Sequence, residues 1–75
     1  MKTLYTIAAT ENVNDAGHTT YLFELVHTAD GRIVDTVKSK SPVPPRKLRD
    51  RQARLNTAAY LDGLMSQAEW HEAMK

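Results

Sequence analysis

Seven of the chain's ten basic residues, Lys38, Lys40, Arg46, Lys47, Arg49, Arg51 and Arg54, fall in one short window, KSKSPVPPRKLRDRQAR, against a single acid, Asp50. The window carries +6, while residues 1–37 sum to −3 and residues 55–75 to −2, in a chain of net charge +1. Ammonium and guanidinium groups at this density bind anions. Their partner is either the carboxylates of an acidic protein surface, where they speed encounter, or the phosphates of a nucleic acid. On a helix starting near Arg46, Lys47, Arg51 and Arg54 fall at i, i+4 and i+7 and make one ridge. Arg46 and Arg49 form a second patch toward its start, and Lys38 and Lys40 extend it from the preceding strand and linker. Cations in the first half of a helix oppose its dipole by some tenths of a kcal/mol each, roughly, so helix stability alone would place them at the other end. The competing reading is a solvated helix face with Asp50 and Arg54 paired at i, i+4.

Other chemistry has thinner support. His18, His27 and His71 are not at ligand spacing, and with no cysteine in the chain nothing completes a zinc set, so no metal and no cofactor is expected. The sequence carries no nucleophile elbow, no Gly-rich phosphate loop and no HExxH. Glu69 and Glu72 lie i, i+3 and are better read as capping and solubilising acids. The expectation is therefore not an enzyme. Trp70, the single tryptophan, could anchor a partner, although a small core needs every large side chain it has.

The elements that must position these residues are readable from pattern. Leu4 to Ala9 alternates as a strand, and Glu11 to Gly17 is rich in turn formers. Thr20 to Val26 is the clearest strand; Thr28-Ala29-Asp30-Gly31 reads as a hairpin turn, and Arg32 to Lys38 returns. A three-residue loop with a glycine bulge sets Val26 opposite Val34, Phe23 opposite Val37 and His27 opposite Ile33. Tyr21, Phe23, Leu25, Ile33 and Val37 then share one face. Ser41-Pro42-Val43-Pro44-Pro45 ends the sheet as an extended connector, with Pro45 suited to open a helix. From Arg46, Leu48, Gln52, Leu55 and Ala59 form an apolar stripe with Ala58, Leu61 and Met65 beside it. Gly63 weakens the helix near its end, and Ser66-Gln67-Ala68-Glu69 is a capping box that opens a second helix from Gln67 to Met74.

The fold expected is α+β, a three-stranded antiparallel β-meander followed by one longer and one short C-terminal helix (βββαα). It is a single small domain over 1–75, with the meander at 3–38, the Pro-rich connector at 39–45 and the helical part at 46–74. Seventy-five residues is near the lower limit for an unaided core. The N-terminal MKTLYTIAAT is too short and polar for a signal peptide, no run is long enough to cross a bilayer, and the cytoplasm is the default compartment.

The architecture resembles sheet-reading DNA-binding domains, such as integrase arm-binding domains and those of plant ethylene-response factors. Those domains read bases with arginine and aromatic residues on their strands, whereas these strands offer Arg32 and Lys38, near the turn and the strand end. Fold analogy does not establish function, and no family is assigned. The expected function is a small non-enzymatic binding protein that modulates a larger macromolecular machine through its basic helix surface. Small, cysteine-free, single-domain chains with polarised charge are common among phage-encoded regulators of host transcription or defence complexes, so a phage-type regulator or inhibitor is the class expected. The alternative is a nucleic-acid-binding domain using the same cations. The sequence leaves the oligomeric state open.

Overall fold

A computed structural model describes residues 4–74. Three strands, β1 (Tyr5–Val13), β2 (Thr19–His27) and β3 (Arg32–Ser39), precede two helices, α1 (Arg46–Leu61) and α2 (Gln67–Ala73). The strands form one antiparallel sheet in the order β1-β2-β3. The expected βββαα architecture is what the chain adopts.

Alternation decides which side chains meet the helices. Phe23 and Leu25 of β2 are fully buried with Leu48 of α1, and Tyr5, Ile7, Tyr21, Val34, Val37 and Leu55 pack around them. Phe23 lies opposite Val37, as the hydrophobic pattern demands, and Leu25 lies opposite Asp35. The register then shifts between Leu25 and Val26, so that Val26 meets Ile33 and His27 meets Arg32. Val34 is the extra residue and turns into the core, while Ile33 is left 53% exposed on the opposite face. The expected places of Ile33 and Val34 are thereby exchanged. The cause is the turn: Thr28 to Gly31 forms a four-residue loop closed by the Gly31 N–H on the His27 carbonyl. The bulge restores the register that this longer loop would displace. Asp30 stiffens the turn by accepting from the Arg32 N–H at 3.0 Å and pairing with the His27 ring at 3.0 Å. Those contacts, the Arg32 N–H first, hold its carboxyl below the usual carboxylate range.

β1 is longer than its alternation indicates, because turn chemistry begins only at Asn14. The Asn14 side-chain oxygen accepts from the N–H groups of Ala16 and His18, and its carbonyl accepts from Gly17. Glu11 and Asn12 therefore continue the strand. β3 ends level with Glu11 and Tyr21, so residues 12–20 project as a two-stranded arm, and the molecule is 48 Å along its longest axis.

Pro45 is the N-cap of α1, which has no side-chain cap and no acid in its first turn. Leu48, Asn56 and Ala59 are its buried residues. Ala58 and Leu61, expected beside the apolar stripe, are exposed, Leu61 to 77%. The stripe widens instead toward Asn56, whose carboxamide is fully buried. Gly63 stops the helix rather than merely weakening it. At φ +79 it donates to the Tyr60 carbonyl while Leu64 donates to that of Ala59, a Schellman turn. Gly63→Ala should cost about 1 kcal/mol, read as a lower urea midpoint with an unchanged slope, because a Cβ there is strained although nothing crowds it. Ser66 and Glu69 make the expected capping box that opens α2.

Candidate basic surface

Alternation and the rotation of about 100° per residue along a helix distribute the seven window cations over three places. Arg46, Lys47 and Arg54 point away from the sheet, in an arc that also holds Asp50. Arg46 is 88% exposed and reaches Asp50 only at 3.8 Å. Asp50 thus pairs with Arg46, one turn before it, and not with Arg54. Lys47 and Arg54 are exposed and have no ion pair among the described residues.

The remaining helix cations lie on the flanks. Arg51 leans over β3, where its Nη1 donates to Asp35 Oδ2 at 3.0 Å. The other Asp35 oxygen accepts from the Thr36 N–H, so this guanidinium is tied into the fold. Arg49 lies on the β1 flank, where it lines a depression of about 270 Å³ with Gln52, Ala53, Ala73 and Met74, between α1 and α2. It too has no ion pair among the described residues.

Lys38 and Lys40 do not join the helix cations. Lys38 lies opposite Leu22 on the sheet face turned away from the helices. Lys40 follows the end of β3, and both border a depression with Thr20 and Ser39 beside the arm. The connector separates them from α1; along it the Ser39 and Ser41 hydroxyls accept from the N–H groups of Ser41 and Val43 and bend the chain.

Trp70 serves inside the fold. Its ring stacks on Tyr60 at 4.9 Å and 11°, and its Nε1–H donates to Thr57 Oγ1 at 3.0 Å. With Met65 also buried, it fastens α2 to α1, and Trp70 itself stays partly accessible.

Sequence reasoning missed Asn56. Its Oδ1 accepts from the Tyr5 N–H at 3.1 Å, and its Nδ2 donates to the Tyr5 carbonyl at 3.2 Å, a carbonyl that also accepts from Gln52 Nε2 at 3.1 Å. The carboxamide thus pairs with the outward side of β1 as a neighbouring strand would. The available signal was a pair of carboxamides, Gln52 and Asn56, spaced i, i+4 along the apolar stripe.

Among the described residues, no group of three or more histidines and carboxylates converges as a metal site. Among the same residues, no helix is long and apolar enough to cross a membrane. The chain matches no family model, no curated protein and no solved structure.

Proposed function

We propose that this chain is a small non-enzymatic binding protein whose outward α1 surface docks on an acidic face of a larger complex and modulates it. Arg46, Lys47 and Arg54 make the contacts. The observation that carries this reading is the exposed pair Lys47 and Arg54, neither of which has an ion pair among the described residues, with Lys47 in the first turn of the helix, where the dipole opposes it. Such an arrangement costs folding free energy and returns it on meeting an anion. The place of action is the cytoplasm, and a host transcription or defence complex targeted by a phage-encoded regulator is the class of target.

The alternative, phosphate contact by the same cations, is disfavoured by Asp50, which stands in the middle of the arc and would face the backbone of a nucleic acid. The open sheet face offers no substitute, since its central strand carries Glu24 opposite Thr36.

The test is the combined variant Arg46→Glu, Lys47→Glu, Arg54→Glu, with Arg51 kept because it holds Asp35. Acids at 46 and 47, in the first turn, suit the dipole by about 0.3–1 kcal/mol each. Acids at 46 and 54 stand one turn from Asp50 and repel it by about 0.2–0.5 kcal/mol each, so thermal stability should stay within about 1 kcal/mol of the native chain. Affinity purification from host lysate should lose the principal partner at least about tenfold, the equivalent of 1.4 kcal/mol. Equal recovery by both proteins would remove this surface as the interface. Retention of the native chain on generic duplex DNA, falling steeply with salt, would instead establish the phosphate reading.

A further inference from the structure

The two edges of the sheet are guarded unequally. On β3, the bulge at Val34 breaks the outward row of backbone groups, Asp35 occupies the Thr36 N–H, and Lys38 follows. On β1, Gln52 and Asn56 occupy Tyr5. Beyond Tyr5 the guarding stops. The bond from the Thr28 N–H to the Leu4 carbonyl sets the phase: even-numbered β1 residues pair with β2 and odd-numbered ones face outward. Ile7, Ala9, Glu11 and Val13 therefore present N–H and C=O groups with no partner within the chain among the described residues. The segment IAATENV has no lysine, proline or bulge, the usual protections of an edge.

We infer that this edge pairs with the same edge of a second copy, antiparallel about a twofold axis at Thr10, to make one continuous six-stranded sheet. The register follows from self-complementarity. Centred on Thr10, Ile7 lies opposite Val13 of the other copy and Ala9 opposite Glu11, so the unguarded segment pairs with itself over its whole length. Val13, 61% exposed in the single chain, gains an apolar neighbour. An axis at Glu11 would set two carboxylates face to face, and one at Ala9 would set Ile7 against Glu11.

Charge supports the same partner. Glu11 shares the helix side of the sheet with Ile7, by alternation. Arg49, one helical turn before Gln52 on the β1 flank, stands on that side without an acid among the described residues. The Glu11 of the incoming copy brings it one. This pairing uses a different surface from the outward arc of α1 and leaves Arg46, Lys47 and Arg54 exposed on both copies.

Sedimentation equilibrium on the full chain tests it. The native protein should weigh twice one chain at a concentration of about 100 µM, within the weak-affinity range that a modest interface supports. Thr10→Lys sets two ammonium groups together on the axis and should raise the dissociation constant at least about tenfold. Ala9→Pro removes an outward N–H while sparing the bonds to β2, and should do the same. Circular dichroism identifies any variant that fails to fold, and the cysteine pair below does not depend on either. Thr10→Cys brings two thiols within disulfide reach across the axis, with Cα atoms about 4.5 Å apart. It should form a covalent dimer at least about tenfold faster than the exposed Thr36→Cys at the same concentration. A single-chain mass for the native protein, a dimer that survives Thr10→Lys, or equal cross-linking at positions 10 and 36 would each overturn the inference. A single-chain mass would leave the edge to a strand of another protein.

Discussion

Asn56→Leu is expected to cost about 2–4 kcal/mol, seen as a lower urea midpoint and as loss of amide-exchange protection at Tyr5. Leucine is close in volume, so the packing around Leu48 and Ala59 changes little. What disappears is the pair of bonds that hold both the N–H and the carbonyl of Tyr5. The backbone cannot be made apolar to match, so its N–H is left without a partner and its carbonyl keeps only Gln52. Gln52→Ala should cost less, about 1 kcal/mol, because Asn56 still serves both groups. Equal losses for the two variants would contradict this division of roles. Because the carboxamide also covers the sheet edge, Asn56→Leu should be more prone to associate on warming than Gln52→Ala, which light scattering would register.

Phe23→Ala is the larger prediction, about 3–5 kcal/mol. Phe23 is fully buried with Leu25 and Leu48, and Tyr21 stacks beside it at 6.3 Å. A core of this size supplies only about 3–5 kcal/mol of net stability, so the variant should be largely unfolded at room temperature. Far-ultraviolet circular dichroism and the collapse of amide dispersion in a proton spectrum would show it. A cooperative unfolding transition retained near the native midpoint would mean that the helices are held by something other than this cluster. Ligand-free refolding in sucrose, which favours burial, should recover part of the signal if the fold is merely weakened.

The general plan was readable because several independent signals agreed. The alternation in β2, the Thr28–Gly31 turn, the proline connector and the capping box at Ser66 each point to one element, and each is present. What escaped reading depended on tertiary context. Ile33 and Val34 are adjacent β-branched residues of equal propensity, and alternation cannot tell which faces inward. Loop length and the bulge decide that. Glu11 and Asn12 look like turn formers, but a turn needs the side-chain acceptor that Asn14 provides. Asn56 looks like a solvated helix residue until Tyr5 is known to lie beneath it.

The basic window illustrates the same divide. Its composition was plain, whereas its apportionment was not. Helical rotation separates Arg51 and Arg49 onto opposite flanks, and strand alternation sends Lys38 to the far face of the sheet. The ridge of Lys47, Arg51 and Arg54 exists as a row along the helix, yet its middle member is committed to Asp35. On α1, three outward cations and one flank cation remain for intermolecular use, which is a narrower and more directional surface than a charge count implies.

The bonds between Tyr5 and Asn56 join positions 51 apart, so the start of β1 is secured by a residue that leaves the ribosome well after it. Until α1 has emerged, β1 can pair with β2 but its outer side stays bare, and closing so long a loop is entropically slow compared with forming the β2–β3 hairpin. During synthesis the nascent protein therefore passes through an interval in which its first strand is exposed to any neighbouring polypeptide. The arrival of one carboxamide ends that interval at Tyr5, and leaves the rest of the outer side open to a partner strand.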